Sequence, residues 1–112
     1  MIDQVRPNQV NEWLAAQAAP RALVLDVREP WELQTASVQP DGFELLAMPM
    51  ASIPARLAEL PADAAIACLC HHGGRSQQVA MFLARQGFGR VANIAGGIEA
   101  WARERDPAVP RY

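Results

Sequence analysis

The fold of this 112-residue chain is most clearly indicated by the segment Ala64-Ala65-Ile66-Ala67-Cys68-Leu69, followed by Cys70-His71-His72-Gly73-Gly74-Arg75-Ser76. Six apolar residues in a row are typical of a strand that is buried on both faces in a parallel sheet. After the glycine-containing loop, Val79, Phe82 and Leu83 recur at helical spacing. A buried strand that passes through a short loop into a helix predicts an α/β fold.

Strand and helix patterns alternate along the rest of the chain. Further strands are predicted at 23–27, 43–48 and 91–94, and further helices after Asn8 as N-cap, at Glu29, at Ser52 and after Gly96-Gly97. This alternation predicts a three-layer sandwich, in which helices cover both faces of a central, mostly parallel sheet of about five strands. The length suits one core, so we expect a single domain over residues 1–112.

Composition excludes several classes of function. The 10 Lys and Arg residues against 12 Asp and Glu residues leave a net charge of −2, which gives no attraction to nucleic acid or to an anionic membrane. No apolar run approaches the roughly 18 residues that a membrane span needs, and Met1-Ile2-Asp3-Gln4 lacks the pattern of a secretion signal. We therefore expect a cytoplasmic protein without nucleic-acid or membrane partners.

The loop that begins at Cys70 combines residue types that suit an anionic sulfur. A helix N-terminus lowers the pKa of a nearby thiol, because unpaired N–H groups and the positive end of the helix dipole face it. Gly73 and Gly74 permit backbone angles that turn successive N–H groups inward, and Arg75 adds a fixed positive charge with a planar set of donors. This pattern predicts that Cys70 is a nucleophile rather than a buried core thiol, and that Arg75 binds an anion.

The other polar residues of this region allow more than one interpretation. His71 and His72 are predicted to contribute mainly their backbone N–H groups, although either imidazole could tune the thiolate. Ser76 either caps the helix or bonds the sulfur through its hydroxyl. Asp26 and Arg28 follow a strand end, where they either border the pocket or form a structural ion pair, and we favour the ion pair.

Cys68 lies inside the apolar strand, which favours core packing. Cys68, Cys70, His71 and His72 crowd four candidate metal ligands into five residues, whereas tetrahedral zinc sites use separated pairs. The spacing therefore does not favour a metal site.

Cys-x-x-Gly-x-Arg after a buried strand resembles the active-site loop of single-domain rhodanese-like sulfurtransferases, the rhodanese homology domain family. Three further segments are similar to the family's motifs and follow in its order: Leu25-Asp26-Val27-Arg28-Glu29, Gly87-Phe88, and the segment from Asn93-Ile94-Ala95-Gly96-Gly97 to Trp101. The resemblance covers most of the chain, and it implies a rhodanese-like sandwich.

The resemblance also implies a reaction. Cys70 would take a sulfane sulfur from a donor such as thiosulfate, and the resulting persulfide would pass it to cyanide in vitro or to a thiol in cells, including a protein thiol. Backbone N–H groups from His71 to Arg75, with Ser76, would hold the charge of the terminal sulfur. Such a thiosulfate sulfurtransferase needs no metal or organic cofactor.

One segment departs from the family pattern. The family usually carries Gly-His-Ile-x-Gly-Ala before the next helix, but residues 35–49 contain no histidine and only one glycine, Gly42. This leaves the pocket wall and the donor preference open.

Two other functions fit parts of the sequence. A non-catalytic rhodanese-like binding module is the first, although such modules often lack the cysteine. A cysteine-dependent phosphatase is the second, but its loop resembles Cys-x5-Arg, whereas four residues separate Cys70 from Arg75 here.

Overall fold

The computed structural model describes residues 1–112, which form a five-stranded sheet between two layers of helices. The strands are β1 (Asp3–Val5), β2 (Ala22–Asp26), β3 (Glu44–Ala47), β4 (Ala65–Leu69) and β5 (Val91–Ile94). The helices are α1 (Val10–Ala16), α2 (Pro30–Thr35), α3 (Gly74–Arg85) and α4 (Gly97–Glu104). None of these helices has the length and apolar character needed to cross a membrane.

All neighbouring strands in the sheet are parallel, in the order β1-β5-β4-β2-β3. The central strand β4 pairs with β2 and β5, so that Cys68 lies between Leu25 and Asn93. Because parallel strands end at the same edge, the segments that follow β2, β4 and β5 meet there. The loop after β4 is therefore surrounded by residues from two other strands.

Alternating side chains of the buried strands pack into two separate apolar clusters, one on each face of the sheet. On one face α1 and α4 supply Val10, Leu14, Ile98 and Trp101. On the other face α3 supplies Val79, Ala80 and Leu83, and β4 contributes Ile66 and Cys68, with Cys70 directly after it. Both faces are covered, as the continuous apolar strands predict.

Most elements match the sequence prediction, but three details differ. The edge strand β1 was not predicted, because only Val5 of its three residues is buried and no apolar run marks it. The helix predicted to start at Ser52 is wrong: two short 3₁₀ helices, Met50–Ser52 and Leu57–Glu59, occupy this stretch. Asn8 is not an N-cap, since it lies within a 3₁₀ helix and Gln9 precedes α1.

Candidate active site

Cys70 directly follows β4 at the edge where the carboxyl ends of the strands meet. Its Sγ accepts a hydrogen bond from the backbone N–H of Gly73 at 3.1 Å and another from the backbone N–H of Ser76 at 3.3 Å. The Ser76 hydroxyl lies 3.2 Å from the same sulfur. Only 1% of the Cys70 surface is exposed. Three polar hydrogen-bonding groups thus surround a sheltered sulfur atom, an arrangement that favours negative charge on it.

Gly73 is the residue that turns the loop into α3. Its φ angle is +106°, in the left-handed region, and a Cβ there would lie 3.3 Å from the backbone nitrogen of Gly96. Gly74 differs from the sequence prediction, since it is an ordinary first helical residue with open space around its Cα. One glycine, not two, therefore makes the turn that directs an N–H group at the sulfur.

Asn93 on β5 connects the two residues that donate to Cys70 Sγ. Its Oδ1 accepts a hydrogen bond from the Ser76 hydroxyl at 2.6 Å, and its Nδ2 donates to the carbonyl of Gly73 at 3.2 Å. Nδ2 also donates to Gln4 Oε1 at 2.8 Å, so β1 fixes the orientation of the amide. Asn93 was quoted above only as part of a motif, although a polar residue in a four-residue buried strand is a signal that could have identified it.

The Ser76 hydroxyl has one proton and two nearby acceptors. Because an amide oxygen is a stronger acceptor than a thiol sulfur, the proton goes to Asn93 Oδ1 when Cys70 is a neutral thiol, which can itself donate to Ser76 Oγ. A sulfur anion offers a stronger acceptor at 3.2 Å. The N-cap of α3 is Gly73, and Ser76 is the third residue inside the helix. The prediction that Ser76 caps the helix is therefore wrong.

The N-terminus of α4 sets the direction of the peptide groups in the loop. The N–H groups of Ile98 and Glu99 donate to the carbonyls of Cys70 and His71 at 2.9 and 3.1 Å. In a trans peptide the carbonyl and the next N–H point in opposite directions, so the N–H groups of His71 and His72 face away from α4.

The backbone N–H groups of His71, His72, Gly74 and Arg75 have no acceptor within the protein. They are the free donors of the loop. Their predicted role in holding a second sulfur atom stays a prediction, whereas the groups that contact Sγ itself are those of Gly73 and Ser76.

Arg75 is paired with a carboxylate that the sequence reasoning missed. Its two terminal nitrogens donate to Oε1 and Oε2 of Glu32 at 2.7 and 2.9 Å, and the guanidinium side chain is 37% exposed. The Arg75 contacts hold the pKa of Glu32 at about 2, well below its usual value. Anion binding by Arg75 stays a prediction. An anion at this position would contact a guanidinium that is already paired with Glu32.

Asp26 and Arg28 form a buried ion pair beneath the site. Arg28 Nε and Nη2 donate to the two carboxylate oxygens of Asp26, and neither side chain is more than 1% exposed. Nη2 of Arg28 also donates to the carbonyl of Ala36, which ties β2 to the end of α2. This geometry agrees with the favoured structural interpretation, and it does not place the two side chains at a pocket mouth.

The two loop histidines stack on each other and do not hydrogen-bond to Cys70. The His71 ring lies 3.9 Å from the His72 ring on one side and 3.9 Å from the Tyr112 ring on the other. Burial and the neighbouring His72 lower the pKa of His71, so its imidazole is neutral at pH 7. His71 therefore does not supply a positive charge to the thiolate.

Cys68 is completely buried in β4, where burial raises the pKa of its thiol. It is a free cysteine, as is Cys70. The His, Cys, Asp and Glu side chains form no cluster of three or more that could hold a metal ion.

The segment that departs from the family pattern, residues 35–49, ends beside the carboxyl end of β2. Met48 is fully buried in the same cluster as Cys70, and the N–H groups of Met48 and Met50 donate to the carbonyls of Asp26 and Val27. Neither surface cleft of the protein is lined by the loop that contains Cys70. The sulfur thus sits in a close-fitting backbone loop and not in a deep pocket.

Two known proteins are similar to this chain along most of its length. The chain is 37% identical over 109 residues to a protein named sulfurtransferase from Allochromatium vinosum, covering 97% of this chain and 96% of that one. It is 31% identical to the thiosulfate sulfurtransferase GlpE from Vibrio cholerae, covering 88% and 89% of the two chains. It spans only 19–30% of several longer relatives.

A solved structure shows the same fold. The rhodanese-related protein from Thermoplasma volcanium superimposes with a TM-score of 0.76 at 28% identity, covering 98% of this chain and 99% of that one. The sequence profile of the Rhodanese-like domain family matches residues 7–104. The family profile covers most of the chain, and the Cys70 loop joins a central parallel strand to a helix. The chain therefore belongs to the rhodanese-like domain family.

Proposed function

We propose that the protein is a sulfurtransferase in which Cys70 carries the transferred sulfur as a persulfide. The Cys70 thiolate attacks the outer sulfur of a donor such as thiosulfate. A new S–S bond forms on Sγ while the S–S bond of thiosulfate breaks, and sulfite leaves with the electron pair. An acceptor such as cyanide or a thiolate then attacks the outer sulfur of the persulfide, which restores the Cys70 thiolate.

The single observation that carries this proposal is the set of donors around Cys70 Sγ. Two backbone N–H groups, from Gly73 and Ser76, point at the sulfur, and the Ser76 hydroxyl lies beside it. Fixed donors of this kind favour a sulfur anion without any rearrangement when the charge develops. The same donors suit both the attacking thiolate and the thiolate that leaves in the second step.

The free donors of the loop support the persulfide intermediate. The N–H groups of His71, His72, Gly74 and Arg75 lack protein acceptors, and α4 turns the first two away from itself. A persulfide adds one atom to Cys70, and its outer sulfur carries the charge that such donors stabilise. The names of the relatives from A. vinosum and V. cholerae agree with sulfur transfer, and the second supports thiosulfate as donor.

Phosphate chemistry has less support from the site. Only four residues separate Cys70 from Arg75, and both terminal nitrogens of Arg75 are engaged by Glu32. A phosphoryl group, with three charged oxygens, would need those donors. Sulfur transfer needs only one anionic atom to be held.

Intact mass spectrometry tests the proposal. The reduced protein is incubated with thiosulfate, and we expect a mass gain of one sulfur that cyanide removes as thiocyanate. The Cys70→Ser variant should show no gain, whereas Cys68→Ala, the matched control for the other cysteine, should gain sulfur like the wild type. No gain in the wild type with thiosulfate or with an organic persulfide would overturn the proposal. Brisk hydrolysis of an aryl phosphate without that gain would favour the phosphatase, and inertness in both assays would favour the binding module.

A further inference from the structure

Residues 105–112 lie outside the segment that matches the family, yet they return to the active-site loop. The Tyr112 hydroxyl donates to Glu32 Oε2 at 2.7 Å and accepts a hydrogen bond from Arg28 Nη1 at 2.9 Å. Its ring stacks on His71 with 3.9 Å between centroids and an interplanar angle of 7°. One side chain thus contacts both the partner of Arg75 and the residue next to Cys70.

Two contacts hold this segment in place. Val109 is 5% exposed and packs into the same apolar cluster as α1 and α4. Arg111 pairs with Glu99 on α4, with 2.7 Å between Nη2 and Oε1. The residues that lead up to Tyr112 are therefore attached to the folded body, which positions Tyr112 at its site contacts.

We infer that Tyr112 is a positioning residue for the sulfur site. Its hydroxyl fixes Glu32 and thereby Arg75, and its ring fixes His71 and thereby the loop that follows Cys70. This inference rests on the proposed function for its effect on sulfur transfer, but its effect on the reactivity of Cys70 is independent of any donor.

The hydroxyl acts through a carboxylate that accepts four hydrogen bonds. Glu32 receives two from Arg75, one from Tyr112, and one from the backbone N–H of Glu29. Each carboxylate oxygen has two donors, so Glu32 is held in one orientation. Because Arg75 binds both oxygens, a tilt of the carboxylate moves the guanidinium with it.

The ring acts through the loop backbone. His71 lies between the rings of Tyr112 and His72, and its carbonyl accepts the N–H of Glu99 at 3.1 Å. Its side chain and backbone are thus fixed from opposite directions. Loss of the Tyr112 ring frees the side chain, and the donors around Cys70 Sγ then become less well aligned.

Two substitutions distinguish the role of the Tyr112 hydroxyl from that of its ring. Tyr112→Phe keeps the stack on His71 and removes both hydrogen bonds, whereas Tyr112→Leu removes both kinds of contact. Ala108→Ser is the matched control, since Ala108 lies in the same segment with an exposed side chain and is not one of the two contacts that hold the segment. Each variant is measured for the rate of Cys70 alkylation by iodoacetamide against pH, and for KM and kcat with thiosulfate.

In Tyr112→Phe we expect a KM for thiosulfate that rises about three- to tenfold, the size of a typical net hydrogen-bond effect, because the hydroxyl orients Arg75 only through Glu32. Its kcat and the pH midpoint of alkylation should stay near those of the wild type. In Tyr112→Leu the midpoint should also rise by about half a pH unit or more, because the thiolate loses aligned donors. In a protein that already carries Glu32→Gln, Tyr112→Phe should raise KM by less than about twofold, because the hydroxyl acts through Glu32.

An unchanged midpoint in Tyr112→Leu would overturn the role of the ring, and an unchanged KM in Tyr112→Phe would overturn that of the hydroxyl. Equal shifts in Ala108→Ser would contradict both, because they would show that any substitution in the segment has the same effect. If the wild type transfers no sulfur, the proposed function fails. The alkylation profiles then still decide whether Tyr112 positions the loop.

Discussion

Glu32 is a buried carboxylate whose hydrogen bonds make the stability of the fold depend on pH. The carboxylate is almost fully buried, and its four hydrogen bonds, the strongest from Arg75, lower its pKa from 4.5 to about 2. A group whose pKa is lower in the folded state stabilises the fold above its unfolded pKa. That stabilisation is lost as the pH falls through the range between the two values.

We therefore predict that Glu32 makes the fold sensitive to acid between about pH 4.5 and pH 2. Its contribution at pH 7 should be on the order of 1–3 kcal/mol, reduced from the ideal value because Arg75 is partly exposed. Urea unfolding at pH 7, 4 and 3 checks this. The difference in unfolding free energy between wild type and Glu32→Gln should shrink as the pH falls, and a constant difference would contradict the prediction.

The pairing also changes what is expected of Arg75→Ala. A role in anion binding alone would predict that this substitution weakens thiosulfate use far more than stability. The structure adds a cost in stability, since Glu32 would be left buried without its main partner. Binding and folding effects at Arg75 must therefore be separated by comparing Arg75→Ala with Arg75→Ala/Glu32→Gln.

Among the elements, α4 has a direct role in the geometry of the site. Its first N–H groups bind the carbonyls of Cys70 and His71, so the helix and the loop must approach closely. Gly97 lies at this contact with a φ of +60°, and a Cβ there would overlap both carbonyl oxygens. The backbone of the loop leaves no room for a side chain at this position.

We predict that Gly97→Ala destabilises the protein by about 2–4 kcal/mol, through overlap with backbone atoms and a strained φ. It should also slow sulfur loading of Cys70 in the protein that remains folded. Gly89→Ala is the control, since nothing lies within 4 Å of a Cβ there, and it should change stability by less than about 0.5 kcal/mol. Urea unfolding and intact mass give both readouts, and equal behaviour of the two variants would count against this role of Gly97.

On the scale of the whole molecule, Arg28 joins parts of the chain that are distant in sequence. It is fully buried, and it binds Asp26 at the end of β2, the carbonyl of Ala36 after α2, and the hydroxyl of Tyr112. These contacts span 84 positions of the chain between Arg28 and Tyr112. The ion pair therefore helps to fix how the carboxyl edge of the sheet is assembled.

Arg28→Ala should destabilise the fold by about 3–5 kcal/mol, because it leaves the Asp26 carboxylate buried without a partner. Asp26→Asn/Arg28→Met removes both charges and should recover part of this loss. The exposed pair Arg56–Glu59 provides the control, and Arg56→Ala should cost less than about 1 kcal/mol. Urea unfolding of the four proteins tests this, and equal losses for Arg28→Ala and Arg56→Ala would refute it.

The order of elements, the parallel sheet and the position of Cys70 were predictable from the sequence, because they depend on local patterns. The continuous apolar run of β4 and the helical spacing in α3 needed no knowledge of distant residues. The loop between them was identified by its residue types. The short polar edge strand β1 was missed, because a three-residue strand with one buried side chain leaves no such pattern.

The partners of the site residues could not be predicted from the sequence, because they depend on how distant parts of the chain pack together. Glu32 lies 43 positions from Arg75, Asn93 lies 17 from Ser76, and Tyr112 lies 80 from Glu32. No local periodicity encodes such pairings, because they arise only when the strands align at one edge of the sheet and the helices pack on it. The sequence therefore determined which chemistry the loop can carry, and the assembled fold determined which side chains hold that loop in place.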